Sequence, residues 1–137
     1  MPEITRQSHY LLDTHVLYWM QAESERLTRK ARQAIDRGAK DGRLAISIFS
    51  VYELAQMLKR GRITSNGPIF ESLQALTEDI TVLPITTEIA SLAVQLPDDV
   101  PRDPGDRIIV ATAIAEGGHL VTADDRILSC KAVKTIW

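Results

Sequence analysis

Short runs of apolar residues alternate along the chain with longer segments whose apolar residues recur at helical spacing. Apolar runs of three or four residues favour buried strands, and the segments between them favour helices. The predicted strands are Tyr10–Leu12, Leu44–Ser47, Ile80–Leu83, His119–Thr122 and Val133–Ile136. Because strands and helices alternate, the pattern predicts an α/β fold with a mostly parallel sheet of about five strands.

Local signals predict where the helices begin and end. One helix is predicted to begin near Thr14. Five further helices are predicted over residues 28–37, 51–60, about 69–77, 86–96 and 104–116. Glycine favours the end of a helix, and Gly38, Gly61 and Gly117 follow three of these segments. Residues 97–104 hold three of the six prolines, so this segment is predicted to be a loop.

The length and composition are those of one ordinary globular domain covering residues 1–137. Hydrophobic residues make up 45% of the chain and charged residues 25%, which argues against extensive disorder. No apolar run approaches the ~20 residues that cross a bilayer, and the polar N-terminus is unlike a signal peptide. The single cysteine, Cys130, is expected to be a free structural thiol, so we expect a cytoplasmic protein.

The net charge does not by itself indicate a nucleic-acid partner. Sixteen lysines and arginines against eighteen acids leave a formal charge of −2, which argues weakly against nucleic-acid binding. That conclusion reverses if several acids share one metal site, because a bound cation neutralises them and basic residues elsewhere remain to contact phosphate. The positions of the acids therefore matter more than their number.

Four acids are predicted to lie near the carboxyl ends of strands. Asp13 directly follows the first strand, Glu53 lies in the predicted first turn of the helix after the second, and Asp124 follows the fourth. Asp106 belongs to the first turn of the last predicted helix. Ligands of open parallel sheets bind at this edge, where loops converge and helix N-termini point inward. Neighbouring strands would bring the four acids into one crevice.

Each acid also has a purely structural explanation. Ser50 and Glu53 match a capping box, in which an N-cap serine and an N3 glutamate bond each other's free backbone donors. Asp103 suits the N-cap of a helix with Pro104 at N1 and Asp106 at N3, where the helix dipole favours an acid. Asp13 and Asp124 suit turns or helix starts. Taken singly, the acids are explained by capping, and a further role follows only from the four together.

Clustering of four acids has an energetic consequence. Two carboxylates ~4 Å apart repel by roughly 4 kcal/mol at an effective dielectric constant of about 20, so four ionised carboxylates in one pocket need a cation. The chain has no cysteine or histidine cluster, and carboxylate oxygens favour Mg²⁺ or Mn²⁺. Such an ion polarises a phosphoryl oxygen and lowers the pKa of water. Hydrolysis of phosphodiester bonds is the chemistry that suits this site.

The four acids lie in short motifs that occur in order along nearly the whole chain. The motifs are Leu11–His15, Ser50–Ala55 followed by Gly61, Arg102–Arg107 and Leu120–Asp124, with Ile136–Trp137 at the end. Together they resemble the PIN-domain ribonucleases of the VapC toxin type. The resemblance implies a three-layer PIN fold, an endoribonuclease dependent on Mg²⁺ or Mn²⁺, a homodimer, and an antitoxin whose tail covers the acidic pocket.

The resemblance also implies roles for individual residues. The positions of the family's acidic quartet, which binds metal and carries out catalysis, are Asp13, Glu53, Asp106 and Asp124. Thr14 and Thr122 fall on flanking hydroxyl positions and are expected to orient a carboxylate or water. Asp103 falls on an acidic position before the helix, although an N-cap role is favoured because Pro104 fits N1.

Three positions depart from the family's usual pattern. Met57 stands where relatives often carry lysine, Pro101 where they often carry histidine, and Gly105 where they often carry an aromatic residue. The approach of the substrate is therefore expected to differ, although the acids are intact. The residues before the first strand form an N-terminal extension to which the sequence assigns no function.

Basic residues near the end of the third predicted helix have two explanations. Lys59, Arg60 and Arg62 complement the helix dipole, or they form with Arg107 and Arg126 a basic rim that contacts RNA phosphates. The two explanations differ in the salt dependence of RNA affinity, because only phosphate contacts release counterions.

Histidine and aromatic residues near the acids are interpreted as structural. His15 lies close after Asp13, but each step along a helix turns the side chain by about 100°, so packing or hydrogen bonding is favoured over a general-base role. The aromatic residues lack the interleaved basic pattern of base-stacking modules and are assigned to core or dimer surface. These residues are Tyr18, Trp19, Tyr52 and Phe70.

Two other functions fit part of the pattern. A receiver-like regulatory domain also places acids and Mg²⁺ at strand ends, with a lysine such as Lys131 or Lys134 near the last strand. It needs a paired acid run before the end of the first strand, which this chain lacks. A catalytically inactive PIN-like binding module would keep the fold without the chemistry, and an absence of metal uptake would favour it.

Overall fold

The computed structural model describes residues 8–65 and 67–137, and these residues contain a five-stranded sheet in which all neighbouring strands are parallel. The strands are β1 (Tyr10–Leu12), β2 (Leu44–Ser47), β3 (Thr81–Leu83), β4 (His119–Val121) and β5 (Lys134–Ile136). Their order across the sheet is β3-β2-β1-β4-β5, which confirms the predicted parallel α/β sheet. Residues 1–7 of the N-terminal extension and Asn66 of the predicted turn lie outside the described residues.

Helices connect the strands within the described residues. They are α1 (Thr14–Ala22), α2 (Arg29–Lys40), α3 (Ile48–Lys59), α4 (Ile69–Leu76), α5 (Thr87–Gln95), α6 (Pro104–Ala115) and α7 (Asp125–Leu128). The short α7 and a 3₁₀ turn over Ser24–Arg26 were not predicted, because neither is long enough to show a helical period. None of the described helices is long and apolar enough to span a membrane.

Helices cover both faces of the sheet. On β1, Tyr10 and Leu12 pack into one core with α1, α2 and α3, whereas Leu11 packs into a second core with α5 and α6. Side chains of a strand alternate between the two faces, and both faces of this sheet are covered. The central strands β1 and β2 are therefore buried along their whole length, and the three-layer architecture is confirmed.

Gly38 lies inside α2 and does not end it, so the helix end predicted at Arg37 is wrong. A Cβ on Gly38 would lie 2.7 Å from Leu44 Cδ2 and 2.9 Å from Tyr10 Cδ2. Only glycine allows the helix to approach the sheet so closely. The chain turns instead at Gly42, whose φ of 67° is in the left-handed region.

The position of β1 explains where a site can form. Because β1 lies between β2 and β4, the carboxyl ends of three strands are adjacent at the centre of one edge of the sheet. At this edge α1 follows β1, α3 follows β2 and α7 follows β4. Side chains from the starts of separate helices therefore converge.

Candidate active site

A pocket of about 430 Å³ lies at this edge. Its lining comes from α1, α3, the start of α6 and the segment after β4. The lining residues are Asp13, Thr14, His15, Val16, Trp19, Glu53, Asp103, Asp106, Ala123, Asp124 and Arg126. All four acids of the predicted quartet therefore line one pocket, together with Thr14 and Asp103.

Asp13 directly follows β1 and is the N-cap of α1. Its Oδ1 accepts a hydrogen bond from Thr14 N at 2.8 Å, and its Oδ2 accepts one from Thr122 Oγ1 at 2.7 Å. Burial raises the pKa of Asp13, while the hydrogen bonds from Thr122 and Thr14 oppose the rise. Thr122 is completely buried, so this hydroxyl holds the carboxylate in one orientation.

Glu53 lies in the second turn of α3, because the helix begins at Ile48 with Ser47 as its N-cap. The predicted first-turn position and the capping box of Ser50 and Glu53 are therefore wrong. Ser50 is buried inside the helix, and its Oγ lies 2.9 Å from Thr14 Oγ1. Thr14 Oγ1 donates to Glu53 Oε1 at 2.7 Å. Burial raises the pKa of Glu53, and this hydrogen bond opposes the rise.

Asp103 is the N-cap of α6 and Pro104 is its N1 residue, as the sequence indicated. The Oδ1 of Asp103 accepts hydrogen bonds from Gly105 N at 2.9 Å and Asp106 N at 3.2 Å. Burial raises the pKa of Asp106 to about 6, and the charges of three neighbouring aspartates add to the rise. Asp106 therefore keeps its proton up to a higher pH than an exposed aspartate would.

Arg126 is the basic residue that reaches the acids. Its Nη2 lies 3.0 Å from Asp124 Oδ2 and 3.3 Å from Asp106 Oδ2. The hydrogen bond from Arg126 lowers the pKa of Asp124 against the effect of burial. The sequence suggested Arg126 only as part of a basic rim. Its pairing with Asp106, 20 positions earlier, has no local sequence signal.

His15 and Trp19 also line the pocket, which the sequence interpretation missed. His15 is exposed, and its ring centroid lies 6.0 Å from that of Trp19. The ring centroids of Trp19 and Trp137 lie 5.8 Å apart, and the guanidinium of Arg26 lies 5.2 Å from the Trp19 ring centroid. His15 and Trp19 are four residues apart on α1, so their helical spacing was the signal that could have placed them on one face.

Of the five residues in the predicted basic rim, all but Arg126 are outside the lining of the acidic pocket. Lys59 and Arg60, at the end of α3, border a separate surface recess. The guanidinium of Arg107 donates to three main-chain carbonyls around the C-terminal end of α5. Arg62 is exposed beyond α3. Arg107 therefore ties α6 to α5, and RNA contact stays a prediction for all four residues.

Two of the three departures from the family pattern have a structural reason. Met57 is buried in the core beside the sheet, where a lysine would lose its hydration. A Cβ on Gly105 would lie 2.4 Å from Phe49 Cε1. The ring of Phe49 therefore fills the space that a side chain at position 105 would need. Nothing in the structure explains Pro101.

The donors in the pocket suit a hard divalent cation. The acids present carboxylate oxygens, and the lining holds no thiol. In the described part of the chain, no three Asp, Glu, His or Cys side chains are already arranged around one point that could hold an ion. Two of the carboxylates are paired with Arg126 instead. The residues therefore fit Mg²⁺ or Mn²⁺ in chemistry, and side chains must move to complete a site.

Known proteins share both the sequence and the fold. Residues 10–132 match the family described as the PIN domain. Ribonuclease VapC22 of Mycobacterium tuberculosis is 42% identical over 129 residues, which cover 93% of this chain and 97% of that protein.

Solved structures match the fold at low sequence identity. VapBC2 from Rickettsia felis, bound to a DNA fragment from its promoter, gives a TM-score of 0.71 at 16% identity, covering 92% of this chain and 96% of that one. DNA-bound VapBC from Salmonella typhimurium gives a TM-score of 0.70 at 18% identity, and the match covers 94% of this chain and 97% of that one. These likenesses show the fold alone. Because the family match spans residues 10–132 and a close relative covers nearly the whole chain, this protein belongs to the PIN domain family.

Proposed function

We propose that this PIN domain is an endoribonuclease that depends on Mg²⁺ or Mn²⁺ and is the toxin of a toxin–antitoxin pair. The observation that carries the proposal is the pocket in which four acids from separate segments converge. The relative that is 42% identical is named a ribonuclease, and the solved neighbours are VapBC complexes. Action in the cytoplasm stays a prediction from the sequence.

The proposed reaction is hydrolysis of an RNA phosphodiester bond by water. The residues that would hold the divalent ion are Asp13, Glu53, Asp106 and Asp124. When bound, the ion supplies Lewis acidity and lowers the pKa of water. Side chains of the protein itself orient the acids and accept the proton of the attacking water.

Hydrogen bonds from threonines orient two of the acids. Both oxygens of Asp13 are held, one by Thr122 Oγ1 and one by Thr14 N, so this carboxylate is preorganised. Thr14 Oγ1 holds Glu53 at Oε1, which leaves Oε2 to accept a proton from the attacking water. The raised pKa of Glu53 makes it a stronger base than an exposed glutamate.

Amide variants of two acids test the proposal. Asp13→Asn and Asp106→Asn should each slow RNA cleavage in Mg²⁺ or Mn²⁺ by about 100-fold or more, because each removes a charged oxygen from the site. Asp125→Asn is the matched control, since Asp125 is exposed, adjoins Asp124 and does not line the pocket. Circular dichroism would verify folding. Cleavage by either pocket variant at the wild-type rate would contradict the proposal.

An inactive PIN-like binding module is the second function that the sequence left open. No observation favours it, because all four acids are present and line one pocket. Calorimetric titration with Mn²⁺ separates the two, since a nuclease of this kind takes up the ion and a scaffold does not. The receiver-like alternative has no support once the chain is placed in the PIN family.

Two partners form part of the proposal. One is a cognate antitoxin that covers the acidic pocket, and the other is a second copy of this chain. Light scattering of the purified protein should give twice the chain mass of 15.3 kDa. Cleavage of an RNA pool should stop when the antitoxin is added, and mapping the cleaved ends without it would identify the substrate.

A further inference from the structure

The guanidinium of Arg126 reaches two pocket acids from the solvent side. The Arg126 side chain is 67% exposed, whereas Asp106 and Asp124 are only 20% and 25% exposed. A single nitrogen, Nη2, contacts Oδ2 of both aspartates. Because the arginine itself is not packed into the core, it can move away without opening a cavity in the protein.

Arg126 is the single lysine or arginine among the residues that line this pocket, which also holds five carboxylates. In the metal-free protein it therefore compensates part of a large negative charge. A divalent ion bound by the same carboxylate oxygens would lie next to the guanidinium, and two cations in contact repel. The ion and the arginine therefore compete for Asp106 Oδ2 and Asp124 Oδ2.

We infer that Arg126 is an internal counter-cation of the pocket, which holds Asp106 and Asp124 in the metal-free protein and releases both when a divalent ion binds. The inference rests on the proposed function, because it requires the acids to be metal ligands. After release, the guanidinium stays at the pocket rim on the short α7, where it meets the negative charge of an approaching RNA. The residue thus links occupation of the site to the charge presented to the substrate.

Metal affinity in the absence of RNA tests this competition. Calorimetric titration of the full-length protein with Mn²⁺ would compare wild type with Arg126→Gln, Arg126→Lys and Arg37→Gln. Arg37 is the matched control because it is exposed on α2 and does not line the pocket, so its loss changes the net charge equally. We expect Arg126→Gln to bind Mn²⁺ about fivefold more tightly or better, because the competing cation is gone. The Mn²⁺ affinity of Arg126→Lys should lie between those of wild type and Arg126→Gln, because a lysine keeps the positive charge but not the planar guanidinium.

The outcomes are distinct. Tighter binding in Arg126→Gln than in Arg37→Gln supports the inference. Equal or weaker binding in Arg126→Gln, with wild-type protein still binding Mn²⁺, overturns the inference and leaves the proposed function intact. No Mn²⁺ uptake by wild-type protein overturns the proposed function and the inference with it.

A measurement on wild-type protein covers the case in which the Arg126 variants fail to fold. The Nε of Arg126 lies 3.3 Å from Asp124 Oδ1, a contact that slows exchange of its hydrogen with solvent. Saturation with Mg²⁺ should accelerate this exchange in NMR spectra, while arginines away from the pocket keep their rates. Unchanged exchange at saturating Mg²⁺ would overturn the inference.

Discussion

Thr122 Oγ1 donates a 2.7 Å hydrogen bond to Asp13 Oδ2 and thereby joins two residues that are 109 positions apart in the chain. The hydroxyl follows β4 and the carboxylate follows β1, so the parallel pairing of these strands brings them together. The bond lowers the pKa of Asp13 against the effect of burial.

Replacing Thr122 with valine should raise the pKa of Asp13 further, because the ionised carboxylate loses a donor. We expect the acid limb of the kcat/KM profile for RNA cleavage to move to higher pH. Activity near pH 7 should fall by roughly tenfold, because this factor corresponds to the free energy of one hydrogen bond to a charged group. Thr122→Ser should restore the profile. Thr112→Val removes another buried hydroxyl away from the pocket and is the matched control; an equal loss in that variant would indicate a general effect on stability.

A second prediction concerns Thr14 and Glu53. Thr14→Val removes the donor to Glu53 Oε1, so the pKa of Glu53, already raised by burial, should rise again. Titration of the glutamate carboxyl by carbon NMR in EDTA would measure the change directly. Thr14→Ser should leave the pKa at the wild-type value. A pKa of Glu53 that is unchanged in Thr14→Val would show that the hydrogen bond has no part in tuning it.

The pKa of Asp106 makes stability depend on pH in a defined direction. Because its folded-state value of about 6 is above the ordinary 3.8, the folded protein binds this proton more tightly than the unfolded chain. The resulting stabilisation is present below pH 4 and is lost as pH rises through about 6. Asp106→Asn should therefore stabilise the metal-free protein at pH 7.5, by about 1 kcal/mol after allowance for solvent screening.

Thermal unfolding in EDTA tests this prediction. An increase of roughly 3–5 °C in Tm is expected for Asp106→Asn at pH 7.5, and little change at pH 4. Asp125→Asn should leave Tm unchanged at both values. A lower Tm for Asp106→Asn at pH 7.5 would mean that its negative charge is already compensated in the folded protein.

Adding a divalent metal ion should make wild-type protein more stable than Asp106→Asn, the reverse of the order expected in EDTA. An ion that binds only the folded state raises the free energy of unfolding by about 2.7 kcal/mol at 100 times its dissociation constant. Mn²⁺ should therefore raise the Tm of wild-type protein and of Asp125→Asn, but have little effect on Asp13→Asn or Asp106→Asn. An equal rise in all four proteins would place the bound ion outside the acidic pocket.

The contact between Gly105 and Phe49 predicts a pair of coupled substitutions. A Cβ at position 105 would lie 2.4 Å from Phe49 Cε1, so Gly105→Ala forces the ring to move, at a cost of about 1–3 kcal/mol. Phe49→Leu should recover part of this loss in the double variant. Gly67→Ala is the control, because the nearest atom to its added Cβ is at an ordinary 3.6 Å. Denaturant unfolding of the single and double variants would measure the coupling, and strictly additive effects would contradict it.

Much of the fold could be predicted because strands and caps are local features. The central strands β1 and β2 are buried along their whole length, so they stand out in the sequence as short, almost wholly apolar runs. Thr28, Thr86 and Asp103 cap helices through hydrogen bonds to residues two or three positions away, which a short stretch of sequence contains in full. The positions of Asp13 and Asp124 after strands followed from the same local pattern.

The errors arose where a local signal was compatible with two structures. Gly38 was predicted to end α2, but its contacts with Tyr10 and Leu44 place it inside the helix. The start of α3 moved to Ile48 because Ser47, at the end of β2, serves as the N-cap. Packing against the sheet decided the structure at Gly38, whereas at α3 the hydrogen bond from Phe49 N to Ser47 Oγ places the cap at the end of β2.

By itself the sequence determined the apolar periods, most of the helix caps and the presence of acids at strand ends, because these depend on residues within a few positions of one another. Only the tertiary structure decided that β1 lies between β2 and β4, and therefore that the four acids share one pocket. It alone also placed Arg126 between Asp106 and Asp124. Hydrogen bonds and charge interactions act over a few ångströms of space, and the order of strands in a sheet determines which distant residues come within that range.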